Sequence, residues 1–220
     1  MSKNRPPLPK LPVRSEDEKK WSDDYYSFDW LLSWTKAVLE THGRYQTADA
    51  EYMRLLDVRR KMCLEPEWTL EKAHDNADAS WIVKHRGQCE RHFFLNAAHQ
   101  MFRYSDWVVA RGITDRKVFA EIDAFRDSVR RLRDMHEHAD EYFKTDGQGG
   151  RKPHEWWHIA DGGISDASST HNGKFGNLLD PKDLSAAVER LLPKLIELDP
   201  GHLGPRARRE QIARMNARRS

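Results

Sequence analysis

Apolar side chains recur along this chain in alternating steps of three and four, the spacing that keeps one face of an α-helix apolar. The longest such pattern runs from Asp115 to Phe143. Its stripe positions are Val118, Ile122, Phe125, Val129, Leu132, His136, Ala139 and Phe143. We therefore predict a core helix over residues 115–143 and expect it to be the longest element of the fold.

The same spacing predicts further helices on both sides of this one. They are expected to run from Ser22 to Gly43, Thr47 to Pro66, Thr69 to Gly87, Gln88 to Ala110 and Asp180 to Leu198, with Pro193 kinking the last. Threonine and aspartate cap helix starts, while glycine and proline mark helix ends. With short connections, these segments predict an all-α antiparallel bundle of five or six helices, its core including Phe93, Ala97 and Met101.

Three segments depart from the helical pattern. Residues 151–177 are rich in Gly, Ser, Asp and Asn, which favours a short β or loop insertion. Residues 1–20 contain four prolines and many charges, so we predict a disordered arm. Residues 199–220 form an arginine-rich tail. The expected organisation is therefore an arm, a bundle domain over residues 21–198, and the tail.

Composition narrows the setting of the protein more than its function. Charged residues make up 33% of the chain and the net charge is only +2, so no global field demands nucleic acid as a partner. Two cysteines, Cys63 and Cys89, do not form a disulfide framework, and reduced thiols predict a cytoplasmic protein. No apolar run approaches the roughly 20 residues needed to cross a bilayer, so we expect no membrane partner.

Arginine and histidine are concentrated in the last third of the pattern over residues 115–143. Within it, Arg133 and Asp134 are followed by His138. This spacing resembles the Arg-x(4–6)-His signature of the HEPN family (higher eukaryote and prokaryote nucleotide-binding), which also lies late in a long helix of an all-α bundle. Arg131 with His136, and Arg131 with His138, fit the same signature. The resemblance therefore covers the bundle in outline and a few residues in detail.

The resemblance implies a chemistry and a partner. Active members of the family are metal-independent endoribonucleases, and many are dimers whose motifs face each other, so a homodimer is one arrangement that it implies. Carried over, Arg133 would bind the scissile phosphate, Asp134 would be the polar residue of the motif, and His138 would transfer protons. No cofactor is then needed, because histidine and arginine supply proton transfer and charge stabilisation.

A rival hypothesis is a non-catalytic helical interaction module in which this cluster is a salt-bridged surface. The helical wheel places His136 on the buried stripe, while residues 133 and 138 lie about 140° apart. We therefore expect Arg133 and His138 to face away from the core. The two hypotheses differ in whether the protein cuts RNA in the presence of EDTA.

Other histidines raise the question of a metal site. His154, Glu155 and His158 match the H-E-x-x-H pattern of zinc metalloproteases, which needs a helix through both histidines. Pro153 and the glycines that follow disfavour that helix, so we expect no metal at His154 and His158, and zinc proteolysis is a minor alternative. His85, His92 and His99 recur every seven residues and are interpreted as a polar face rather than a metal or haem site.

The tail adds a cationic surface to this picture. Its arginines include Arg206, Arg208, Arg209 and Arg214. Such a run can neutralise phosphates in a salt-dependent, sequence-independent manner. It favours RNA or an acidic partner protein over a small apolar ligand.

Overall fold

The all-α fold class is confirmed. The computed structural model describes residues 16–64, 69–137, 170–171 and 173–199, and 86% of these residues are helical. The elements are helix α1 (Glu16–Met62), helix α2 (Leu70–Ala110), a 3-10 helix (Arg116–Phe119), helix α3 (Ala120–Asp123), helix α4 (Arg126–Glu137), strands β1 (Thr170–His171) and β2 (Lys174–Phe175), and helix α5 (Pro181–Leu198).

Helices α1 and α2 form a long antiparallel hairpin that is the spine of the molecule. They contain 47 and 41 residues, so α1 is about 70 Å long. Their pairing follows one register, in which Asp24 meets Arg111, Trp30 meets Tyr104, Arg44 meets Glu90 and Glu51 meets Arg86. Residue numbers that rise along α1 fall along α2. Helix α4 packs against α2, and helix α5 packs against α1.

The predicted breaks at Gly43 and Gly87 are wrong, because both glycines lie inside continuous helices. Thr47 is not a cap; its hydroxyl donates to the carbonyl of Gly43 at 2.9 Å. One glycine inside a helix costs about 1 kcal/mol, and tertiary packing along a hairpin of this length offsets that cost. Residues 16–20, assigned to the arm from the sequence, also belong to α1.

Alanine at these two glycines should stabilise the protein. A Cβ at Gly43 meets nothing within 4 Å, and a Cβ at Gly87 lies 3.8 Å from the Cβ of Ala48, an ordinary contact. Gly43→Ala and Gly87→Ala are each expected to raise the free energy of unfolding by about 0.5–1 kcal/mol, measured by urea denaturation. Gly112→Ala is the matched control and should destabilise, because that residue has φ +68°. A lower urea midpoint for Gly87→Ala would contradict the close packing described here.

Residues 115–143 do not form one helix, and the prediction that they are the longest element is wrong. Asp115 caps the 3-10 helix by accepting from the backbone N–H of Lys117 at 2.8 Å. The chain then passes through α3, turns at Ala124 and Phe125, and begins α4 at Arg126. In the described part of the apolar stripe, Ile122, Val129 and Leu132 are nonetheless buried, and Val118, Phe125 and His136 are partly buried. Periodicity therefore identified the buried face but not the continuity of the backbone.

A network of four charged side chains fastens these short helices to the end of α2. Arg116 and Arg126 both bridge the carboxylates of Asp106 and Asp123, with Arg126 contacts of 2.8 and 2.9 Å. The Arg126 guanidinium also lies 4.7 Å from the ring centre of Phe102 and donates to Ser105 Oγ at 3.2 Å. This network fixes the angle at which α4 leaves, and so the surface that α4 presents to α2.

Helix α5 packs against α1, and the β-hairpin packs against both α1 and α2. Asp180 caps α5 as predicted, accepting from the Lys182 N–H at 2.8 Å, and the helix continues through Pro193. Strands β1 and β2 are antiparallel, which confirms short strands in the described part of the predicted insertion. Phe175 of β2 packs edge-on against Tyr45 and Phe94, with ring centres 4.9 and 5.8 Å apart. The guanidinium of Arg91, a buried side chain, lies 5.1 Å from the Phe175 ring centre.

The predicted core is right in five positions, partly right at Phe125 and wrong at Phe93. Phe125 is only partly buried and packs against the core. Ala97, Met101, Ile122, Val129 and Leu132 are buried, as expected. Phe93 is 53% exposed, and its neighbour Phe94 is buried instead. Within the described ranges, no helix combines the length and the apolar character needed to cross a bilayer.

Candidate functional site between α2 and α4

The predicted arginine–histidine cluster meets a second set of histidines where α4 packs on α2. His92, Asn96 and His99 follow one another on α2 at steps of four and three, which places them on one stripe of the helix. Arg133 and His136 lie on α4. The site is therefore a row of polar side chains between α2 and α4, which we call the seam. In the sequence, a turn, the 3-10 helix and α3 separate these two helices.

Two histidine rings are in contact across this seam. The ring centres of His92 and His136 are 5.5 Å apart, with the planes at 65°. The amide nitrogen of Asn96 lies 3.1 Å from His92 Nε2, so this nitrogen is held in a fixed position. The seam thus brings two titratable imidazoles from different helices together.

Arg133 is not solvated, which corrects the prediction that it faces away from the core. Its side chain is 24% exposed, and its Nε is buried with no hydrogen-bond partner among the described residues. Its terminal nitrogens pair with Glu137 and, at 3.8 Å, with Asp134. The physical reason is that α4 turns this side towards α2, so the helical wheel of α4 alone gives the wrong exposure.

The electrostatics of the seam keep one histidine neutral. Burial, and then the positive charges of Arg133 and Arg103, lower the pKa of His99, while Glu137 and Asp134 oppose the shift. His99 is therefore an unprotonated imidazole near neutral pH, close to a half-buried guanidinium. A neutral imidazole can accept a proton, and a guanidinium with unused donors can bind a phosphate oxygen.

The other predicted residues are distributed unevenly with respect to this seam. His136 is half-buried in contact with His92, and Met135 takes the fully buried position that the sequence assigned to His136. His138 lies outside the described residues, as do His154, Glu155, His158, Arg206, Arg208, Arg209 and Arg214. In the part of the chain that the structure describes, no group of three metal-ligating side chains is present.

Sequence reasoning missed His92 and His99 as members of the site. Their spacing of seven was visible, but it was interpreted as a polar face with His85. In the structure His85 lies apart, its ring centre 4.1 Å from that of Trp81. The packing of α4 on α2 brings His92 and His99 into the site and leaves His85 outside it, and the spacing in the sequence does not show this difference.

The chain matches no protein-family model, no curated protein and no solved structure. The function is therefore argued from the side chains of the seam and from the arginine–histidine spacing.

Two partly buried histidines, His42 and His99, are expected to make the folded protein sensitive to acid. Burial lowers the pKa of His42 as well as that of His99, and His42 packs against Phe94 with ring centres 5.8 Å apart. Because the unfolded chain binds protons more readily, stability should fall as the pH drops below about 6.5. His42→Gln and His99→Gln should each reduce the loss of unfolding free energy between pH 7.5 and 5.5, measured in urea. The exposed His74→Gln should not, and an unchanged loss in the first two variants would contradict the prediction.

Proposed function

We propose that this protein acts on RNA as a HEPN-like, metal-independent endoribonuclease whose site is the seam between α2 and α4. The observation that carries the proposal is the contact between α2 and α4, where the ring centres of His92 and His136 are 5.5 Å apart and Arg133 is half-buried. Burial, and then the charge of Arg133, lower the pKa of His99 on the same stripe of α2. Cleavage of RNA by its own 2′-hydroxyl needs a proton acceptor, a proton donor and a cation. Arginine and histidines supply all three without a metal.

The reaction can be written with these groups. His99 takes the proton of the 2′-hydroxyl, and the 2′-oxygen forms a bond to phosphorus. The bond from phosphorus to the 5′-oxygen then breaks, and the leaving oxygen takes a proton from a second histidine. By resemblance that donor is His138, which lies outside the described residues. The products are a 2′,3′-cyclic phosphate and a 5′-hydroxyl.

Arg133 has the donors to stabilise the transition state. A guanidinium has five N–H groups, and the pairs with Glu137 and Asp134 engage its terminal nitrogens without using them all. A phosphodiester carries one negative charge, as each carboxylate does, and further negative charge develops in the phosphorane-like transition state, so the guanidinium can be shared and is used most as the reaction proceeds. Asp134, as the polar residue of the motif, then orients the arginine instead of contacting the substrate.

RNA would also be held outside the seam. The arginines of the tail, Arg206, Arg208, Arg209 and Arg214, supply positive charge that is blind to sequence. Binding through them should weaken steeply with salt. A loss of binding that leaves cleavage chemistry intact would separate this role from that of Arg133.

A second candidate is a non-catalytic interaction module. The ion pairs of Arg133 with Glu137 and Asp134 favour it, because such pairs also occur where arginine only stabilises a surface. One experiment distinguishes the two proposals: purified full-length protein is incubated with single-stranded RNA in the presence of EDTA. Cleavage to 2′,3′-cyclic ends supports the enzyme, and intact RNA with or without divalent metal supports the module. Zinc proteolysis through His154 and His158 stays the minor alternative.

A further inference from the structure

A group of aromatic side chains lies on the surface of the α1–α2 hairpin, on different residues from those of the seam. We call Trp30, Trp34, Tyr104 and Trp107 the aromatic face. Trp30 stacks on Trp34 and on Tyr104, with ring centres 6.4 and 6.1 Å apart and planes within 23° and 18°. Trp107 meets Tyr104 edge-on at 5.4 Å. Four rings from two helices therefore form one continuous ladder.

Two of the four rings of the aromatic face are about half exposed to solvent, and the other two are partly exposed. Trp30 is 49% exposed and Trp107 is 55% exposed, and Tyr26, one turn before Trp30, is 54% exposed. Single exposed aromatic residues are common on proteins, but a contiguous group indicates an interaction surface. The rings are already held by packing against one another, so a ligand would order few further side chains.

The surroundings of the aromatic face are acidic. Residues 16–30 of α1 carry six acids and two lysines, a net charge of −4. Asp29 is exposed beside Trp30, and Asp23 and Asp24 pair with Arg111, one helical turn beyond Trp107. A negative rim disfavours RNA and selects a basic ligand that can also lie on aromatic rings.

The chain itself contains a segment with this chemistry. Residues 1–15 carry four basic residues and no acids. Pro6, Pro9 and Pro12 recur every three residues. A polyproline II helix has three residues per turn, so this spacing would place the three rings along one edge if the segment adopted that conformation. Proline-rich helices of this type are recognised by aromatic-lined surfaces. The flanking Arg5 and Arg14 match the acidic rim.

The length of the segment is sufficient to reach the aromatic face. Trp30 lies 14 residues from Glu16, the first described residue of α1, which is about 21 Å along the helix. Residues 5–14 span about 31 Å as polyproline II. We propose that residues 5–14 fold back along α1 and bind the aromatic face of the same chain, with prolines on the rings and Arg5, Lys10 or Arg14 beside the acids.

Photo-cross-linking in the full-length protein tests this proposal. Benzoylphenylalanine is placed at Leu8, the protein is irradiated, and the cross-linked peptides are identified by mass spectrometry. The expected cross-links join residue 8 to peptides that contain Trp30, Tyr104 or Trp107. Trp30→Ser with Trp107→Ser should lower their yield by at least about five-fold. Trp81→Ser is the matched control, since that tryptophan is 62% exposed on α2, and it should leave the yield unchanged.

Variants of the segment keep the proposal falsifiable if the double tryptophan variant folds poorly. Changing Pro6, Pro9 and Pro12 to Ala, or Arg5, Lys10 and Arg14 to Glu, leaves the helices untouched and should lower the same cross-links by a similar factor. Cross-links that persist in these variants, or that map elsewhere, overturn the proposal. A cross-linked species of twice the chain mass overturns the fold-back within one chain, because the segment would then bind a second copy.

Discussion

Replacing Phe94 by alanine is expected to lower the free energy of unfolding by about 3–5 kcal/mol. The Phe94 side chain is fully buried at the point where α2, β2 and α1 meet, in contact with the rings of Phe175 and His42. Removing the ring leaves a cavity that these neighbours cannot fill, since Phe175 is itself fully buried. Urea denaturation followed by circular dichroism measures the effect.

The adjacent residue is a matched control for this substitution. Phe93 is 53% exposed, so Phe93→Ala should change the free energy of unfolding by no more than about 0.5 kcal/mol. The two variants have the same composition and differ only in which face of α2 loses a ring. Equal losses of unfolding free energy in both variants would mean that α2 does not bury the side of Phe94 and expose the side of Phe93.

The error over Phe93 shows what periodicity alone lacked on α2. The sequence analysis followed the large apolar side chains, whereas the buried face also includes small and polar positions. Its members are Ser80, Val83, Gly87, Arg91, Phe94, Leu95, Ala97, Ala98, Met101, Phe102, Ser105 and Val108. Gly87 lies against Ala48, where the two long helices approach closely. Small residues at such a contact contribute little to the hydrophobic pattern of the sequence. The pattern therefore assigned the exposed Phe93 to the buried face of α2.

Helix caps could be predicted from the sequence, because they depend only on residues that are close together along the chain. Thr69 and Asp180 cap α2 and α5 as expected, because a side-chain oxygen satisfies a free N–H within the same few residues. Gly43 and Gly87 were misjudged as helix ends, because the decision there belongs to packing between α1 and α2. A cap depends on contacts within a few residues, whereas the continuity of a long helix depends on its packing against other helices.

The candidate site divides in the same way. Arg133 and Asp134 were identified from their spacing, and both lie at the seam. His92 and His99 were not, because their approach to α4 depends on the turn at Gly112 and on the network of Arg116, Asp106, Arg126 and Asp123. No periodicity within α2 reports that geometry.

Substitutions of the proposed catalytic residues are expected to have the largest effect on activity. Arg133→Ala and His138→Ala should each reduce RNA cleavage in EDTA by at least about 100-fold, since they remove the phosphate-binding cation and a proton donor. His99→Gln should cause a similar loss if His99 accepts the 2′-proton. Arg130→Ala is the matched control, because that arginine lies on the same helix, 63% exposed and paired with Asp127, and it should leave the rate within about two-fold.

Two measurements separate a role in chemistry from one in folding. Arg133 is half-buried, so Arg133→Ala should also lower the melting temperature, whereas Arg133→Lys keeps the charge and should keep the fold while losing activity. The pH profile gives the second, because burial lowers the pKa of His99, so cleavage should extend to a lower pH than an ordinary histidine would allow. RNA left intact by folded wild-type protein across this range, with or without metal, would refute the enzyme and leave the interaction module as the function of the seam.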